Sequence, residues 1–446
     1  MRIKSKSYLS SLCLIAIISC MVGCKSGAVN LFKPASPHEQ YQRKLVSAGL
    51  DKTAMGTAWI DAAGQSTAKA LSITIPFRET GYFSAERIPA AAYQFKATRG
   101  QKLNINLSKK PENDFMIFLD VWELNDQAKP KLITSADTLG NPIELDADEE
   151  STYLIRLQPE LLKSGEYTLE ITAGPSLGYP VKANSKSNIG SFFGAGRDGN
   201  SRKHEGVDIF APFQTPAVAA AEGTVTRVNE NNLGGLVVWM RPKGKDYSLY
   251  YAHLDKQIAT EGQTVLPGDT IGLVGNTGNA RTTPPHLHFG IYTYGGAIDP
   301  LPFINPVTKP LPKISASLKN LNATVRTTRK SALHELPQSN SNTRFDIPSG
   351  TVLHVEAASG AWYRAILPDG TTGFIPSSAI TNVSNPLRKL KINPQQQLAF
   401  DQPDSLAAVK LSIPQGESVD LLGNFSGYHL IMDQKKQTGW IKDTGK

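Results

Sequence analysis

Apolar residues in this chain come in short runs broken by turn residues, and the runs favour the two-residue period of strands. "QKLNINL" (101–107) alternates position by position. "FMIFLDVWEL", "TYLIRLQ" and "EYTLEIT" are β-rich runs of strand length. This spacing predicts a β-sandwich over about 52–176. The pattern continues over 179–306, which is also rich in glycine. There "AVAAAEGTVTRV" and "GGLVVWM" read as strands, "RPKGKD" as a turn and "YSLYYAHL" as a return strand. "PVTKPLPKISASLKN" then reads as a linker, about 307–322. The N-terminus departs from the pattern. "YLSSLCLIAIISCMVG" is a continuous apolar run behind the basic "MRIKSK", which predicts an export signal over 1–24. Residues 25–51 are polar, with one weak helical pattern in "HEQYQRKLVSAGL", and read as a tether.

The last 120 residues contain a repeat. "IPSGTVLHVEAASGAWYRAILPDGTTGFI" starts at Ile347, and "IPQGESVDLLGNFSGYHLIMDQKKQTGWI" starts at Ile413, 66 positions later without a gap. Pro348 matches Pro414, Gly350 matches Gly416, and Trp362 falls on Tyr428. Gly373-Phe374-Ile375 falls on Gly439-Trp440-Ile441. Two small β-modules follow, over 323–383 and 387–446. They resemble bacterial Src-homology-3-like (SH3-like) domains, whose signature is an "IP-x-G" turn, a mid-domain aromatic and a terminal "G-[FW]-[IV]". The resemblance implies small barrels that bind cell-wall peptides, with Trp362, Tyr428 and Trp440 as candidate groove residues. That the three are simply core remains open. The expected fold class is all-β and multidomain.

Composition refines this. The chain has 446 residues, 40% hydrophobic and 19% charged, which suits three or four globular domains. The formal charge of +8 is uneven: from Lys309 onward there are 16 Lys/Arg against 10 Asp/Glu. That excess suits contact with an anionic envelope surface, and a solubilising surface explains it equally. No basic-aromatic stripe or nucleic-acid motif occurs, so no nucleic-acid partner is expected. All three cysteines (Cys13, Cys20, Cys24) lie in the apolar N-terminal segment, so the rest of the chain has no disulfide framework. This segment resembles a bacterial lipoprotein signal, which ends in a lipidated cysteine. Cys20 and Cys24 both fit. Cys24 is preferred, because glycine precedes it and cleavage there leaves no second cysteine. The resemblance implies a membrane anchor and a place in the cell envelope. In Gram-negative sorting, Lys25 after the cysteine suggests the outer membrane.

Chemistry concentrates in the middle. Four of the eight histidines lie between 204 and 288. "KHEGVDIF" gives His204 and Asp208, "YYAHLD" gives His253, and "PPHLHFGIY" gives His286 and His288. On a strand His286 and His288 share one face, and Leu287 and Phe289 the other. Singly, each is weak evidence. Together they resemble the lysostaphin-type zinc metallopeptidases of bacterial cell walls. That signature is H-x-x-x-D, then "Y-x-H-L", "G-x-x-G-x-T-G" and H-x-H. Here these are His204 to Asp208, Tyr251 to Leu254, Gly272 to Gly278, and His286 to His288. "TPAVAAAEGTV" also fits, although Gln214 stands where glycine is usual. The resemblance implies an open antiparallel sheet or half-barrel, with Zn2+ held by His204, Asp208 and His288. His253 and His286 would be the catalytic pair. It further implies an endopeptidase acting on peptidoglycan cross-links, of the D-alanyl–diaminopimelate type if the host is Gram-negative. A non-catalytic wall-binding lipoprotein that activates or positions other wall hydrolases is the alternative. The sandwich, which resembles bacterial pre-peptidase domains, shows no catalytic set.

Overall fold

Ser36 and Glu39 close a reciprocal capping box around Pro37, which occupies the first turn of the helix Pro37–Ser47. A second helix, Ala54–Ala68, starts at an N-cap Thr53. The computed structural model describes residues 34–443 except 125–129, 184–185 and 394–395, so the export signal and Cys20 and Cys24 lie outside the described residues. The two helices correct the sequence reading of this region as a tether followed by strands. Leu45 and Trp59 bury against Phe118, and the Trp59 indole Nε1 donates to Pro159 O at 2.8 Å. The helical layer is thus docked on the domain that follows. "S-P-H-E" was the legible signal for it.

That domain is a sandwich, as the alternation predicts. One sheet runs in the order Leu71–Ser72, Ala91–Ala97, Ser151–Pro159, Ile117–Leu124, Lys131–Ser135. The facing strands are Phe77–Phe83, Gly165–Pro175, Gln101–Lys110 and Ile143–Asp146. Tyr93, Leu119 and Ile155 from one sheet meet Leu103, Leu169 and Ile171 from the other in one core.

The two C-terminal modules reproduce the repeat strand for strand. Val352–Ser359, Trp362–Ile366 and Thr372–Pro376 each recur 66 positions on, as Ser418–Phe425, Tyr428–Met432 and Thr438–Lys442. Their environments differ. Strand Val352–Ser359 pairs with Phe77–Phe83 through Thr80↔Ala358 and Gly81↔Ala357, so the first module and the sandwich share one continuous sheet. Its seam is charged and buried. Glu79, fully buried, accepts from the hydroxyls of Tyr93 and Tyr167 and faces Arg364 Nε at 3.4 Å; Arg364 also pairs with Glu356. The expected linker is not free either. Ala316 is buried, and Ser315 and Ala316 donate to Gly360 O. Trp440 is only 7% exposed and packs with Val352 and Leu422 between the modules, so it has no face to offer a peptide. Tyr428 packs against the same cluster, and Trp362 packs against the sandwich core with its ring edge on His334.

Between sandwich and modules in sequence comes the central sheet. Its order is Asn188–Ser191, Val207–Phe210, His286–Thr293, Ser248–Gln257, Gly235–Pro242, Gly223–Asn231, Thr264–Val265, with neighbours antiparallel. Leu287, Phe289 and Ile291 are fully buried on one face with Val207, Ile209 and Tyr251. The period of two therefore sends His286 and His288 to the opposite face. Phe303 docks this domain on the sandwich loop at Gly100. A Cβ there would lie 2.3 Å from the Phe303 ring, and φ is +90°. Lys245 adds ion pairs to Asp146 and Asp148 at 2.9 and 3.1 Å.

Candidate metal centre

Strand register brings the first two of the group together. Asp208 pairs with His288, and Phe210 with His286, across adjacent antiparallel strands. Side chains opposite each other in such a pair stand on the same face, so Asp208 joins the two histidines. His204 lies outside the strand Val207–Phe210. It reaches the site from the turn after the hairpin of Gly196–Arg197 with Arg202–Lys203. Gly206 lets it do so. A Cβ on Gly206 would lie 2.5 Å from Phe289 O and 2.7 Å from His288 Nε2.

Three atoms converge. His204 Nε2 lies 3.0 Å from Asp208 Oδ1 and 2.9 Å from His288 Nδ1, and His288 Nδ1 lies 3.0 Å from Asp208 Oδ1. His204 Nδ1 is 2.9 Å from Phe192 O, a contact that requires the proton on Nδ1. A neutral His204 thus turns a bare lone pair toward a carboxylate oxygen. A neutral His288 with its proton on Nδ1 can serve part of this cluster, and a cation among the three atoms would satisfy all of it. Burial is the main influence on His288 and pushes it below the ordinary histidine value, although Asp208 acts in the opposite sense. Burial alone would raise the Asp208 carboxyl, but the imidazoles of His204 and His288 outweigh it and hold it well below the usual carboxylate range. Among the described residues, His204, Asp208 and His288 form a group able to hold a metal ion.

His253 and His286 face the same centre. His253 has φ +59° at a register shift in the strand Ser248–Gln257, and a bulge of this kind re-aims a side chain. The sequence reading put it at a strand end; it sits within the strand. Its ring lies 5.0 Å from that of His286 and 5.8 Å from that of His288. Both keep a fixed tautomer: His253 Nδ1 donates to Thr277 O and His286 Nδ1 to Pro284 O, each at 2.9 Å. Nε2 of each then carries the lone pair. Burial, helped by His288 and His286, pushes His253 down to about 4, so it is neutral at pH 7.

The five side chains line a groove of about 590 Å³, with Trp239, Tyr250 and Tyr292 also on its wall. The Tyr250 ring meets His288 edge-on at 5.9 Å. Arg197, which no sequence motif singled out, holds the second oxygen of Asp208: its Nη2 lies 2.7 Å from Oδ2.

Comparison with known proteins falls on this region. Residues 202–300 match the model of peptidase family M23. They are a peptidase family M23 domain. Three relatives align with part of the chain. An uncharacterized metalloprotease of Haemophilus influenzae is 38% identical over 120 residues, 27% of this chain and 24% of that protein. The L-Ala–D-Glu endopeptidase of Bacillus subtilis is 36% identical over 139 residues, 28% of this chain and 42% of that protein. The peptidoglycan DD-endopeptidase ShyC of Vibrio cholerae is 37% identical over 97 residues, 22% of each chain. The chain therefore spans less than half the length of these relatives.

Proposed function

We propose that the M23 domain is a zinc-dependent endopeptidase that hydrolyses peptide cross-links of peptidoglycan. The convergence of His204 Nε2, Asp208 Oδ1 and His288 Nδ1 to within 3.0 Å of one another carries this reading. Two imidazoles and one carboxylate, without a thiol, are the donor set of a catalytic zinc site with an open position. Zinc there would supply Lewis-acid polarisation of the scissile carbonyl and acidify a water. The chain's own groups handle the proton. His253 and His286 present Nε2 lone pairs to the groove, so either is poised to take a proton from the attacking water and return it to the leaving amine. Once protonated, either can steady charge developing on the carbonyl oxygen. Their backbone carbonyl partners prevent the rings from flipping to the wrong tautomer. The aromatic wall of Trp239, Tyr250 and Tyr292 suits an extended peptide, and the named activities of the relatives suggest wall peptides. That all five side chains line one groove supports the catalytic reading over the non-catalytic alternative.

The test is mass analysis of muropeptides after purified wall is treated with the full-length protein. Cross-linked dimers should convert to monomers, a metal chelator should stop the conversion, and added zinc should restore it. Intact dimers after prolonged digestion by zinc-loaded protein would remove the proposal. The masses of the products also identify the bond, which separates cleavage at the D-alanyl–diaminopimelate link from cleavage within the stem.

A further inference from the structure

Asp208 divides its two oxygens between different partners. Oδ1 faces the ligand nitrogens of His204 and His288, both at 3.0 Å. Oδ2 accepts from Arg197 Nη2 at 2.7 Å, and the same nitrogen donates to Ser191 Oγ at 2.7 Å. The carboxylate is only 7% exposed, so little solvent competes for Oδ2. Arg197 itself sits on the hairpin that leads into His204, where Gly196 pairs with Lys203 and Arg197 with Arg202. One short segment thus delivers both a ligand and the group that restrains another ligand.

The chemical consequence concerns how Asp208 binds a divalent cation. A carboxylate can offer one oxygen or chelate with both. Chelation would fill the position that an attacking water or a substrate carbonyl needs. A charge-assisted hydrogen bond to Oδ2 opposes the rotation that chelation requires. The positive charge of Arg197 does not itself attract a metal, so its value to the site lies in geometry. We infer that Arg197 is a positioning residue: it fixes Asp208 as a one-oxygen ligand and thereby keeps a coordination position open. This rests on the metal-site reading above. The rival explanation is that Arg197 only pins the hairpin to Ser191.

Cobalt(II) substitution separates the two in the full-length protein, because the visible absorption of cobalt weakens as a four-coordinate ion gains a further donor. Arg197→Met removes the donor to Oδ2. At full metal occupancy its cobalt band should lose intensity, while Arg197→Lys, which keeps a charged donor, should stay close to the wild-type spectrum. An Arg197→Met spectrum equal to wild type at full occupancy overturns the inference. Equal loss of metal from both variants, with unchanged circular dichroism, also overturns it, because that marks the hairpin and not the carboxylate contact. Wild-type protein that takes up neither cobalt nor zinc overturns the metal-site reading instead.

Discussion

His288 can turn its Nδ1 toward Asp208 and His204 because Gly206 beside it has no side chain. Any Cβ there would press on the ring and on Phe289 O at once. The metal-binding atoms thus depend on a residue with no chemistry of its own. The two groups of polar residues should also behave differently when replaced. His204→Ala, Asp208→Ala and His288→Ala each leave two protein donors, so zinc content and cleavage should fall together. His253→Ala and His286→Ala leave the three converging atoms intact. They should keep most of the zinc and slow cleavage by roughly 10²–10⁴-fold, the usual worth of positioned acid–base catalysis. Metal analysis and cleavage rate on the same five purified variants check this. Loss of zinc from His286→Ala with retention in His288→Ala would exchange the roles of the pair.

Among the elements, the helix Pro37–Ser47 couples stability to pH. His38 is buried, stacks on Trp59 at 4.6 Å and donates from Nε2 to Gln158 Oε1 at 2.6 Å. Burial, and next the charge of Arg156, lower it from 6.5 to about 4. His354 is lowered to about 4 as well, by burial and then by Arg87. Between those values the unfolded chain binds protons that the folded chain refuses. This contribution to stability is therefore whole above pH 6.5 and is lost as pH falls toward 4. At pH 5 the loss from His38 alone is about 2 kcal/mol. Urea unfolding at pH 7.5 and pH 5 should show a lower midpoint at pH 5. In His38→Gln, whose side chain does not titrate, the difference should shrink. An equal difference in both proteins would mean that His38 titrates normally in the fold.

At the scale of the whole molecule the chain closes on itself. The sheet through Thr80↔Ala358 and the buried Glu79–Arg364 contact join the sandwich to the first C-terminal module, although the M23 domain lies between them in sequence. Arg364→Met would leave Glu79 buried without a cation, a loss of about 3–5 kcal/mol for a broken buried pair. Thermal unfolding should shift down in that variant and partly recover when Glu79→Gln is added; no recovery would mean that the Glu79 charge is not the cause. The seam also changes what truncation can test. Cutting the chain near Asn320 removes Arg364 and uncovers the strand Phe77–Phe83, so wall binding by the modules is better tested in the full-length chain. Charge gives them little help, since within 323–383 there are five Lys/Arg against four Asp/Glu. Lysines at 309, 313 and 319 account for half of the C-terminal excess. The proposed envelope location rests on the N-terminal segment. Cys24→Ala should move the protein from the membrane to the soluble fraction, and a membrane-bound variant would count against lipidation there.

Local order was legible wherever one short stretch of chain determines it. The two-residue period fixed the faces of His286 and His288. The gapless 66-residue offset fixed the paired strands of the modules, because a strand's register follows from its own alternation. The H-x-x-x-D, Y-x-H-L and H-x-H spacings picked out the residues that converge. The helix at 37–47 was also written locally, in a capping box, but its polar face resembled a tether. What remained hidden depends on contacts between distant segments. Trp362, Tyr428 and Trp440 look alike as exposed or buried aromatics until the partner surfaces are known. Glu79 and Arg364 are 285 positions apart, and neither strand pattern shows that its charge is buried. Arg197 became part of the site only when the hairpin folded over Asp208. A side chain's type and period are properties of the sequence, whereas the partner that satisfies its charge is supplied by tertiary packing.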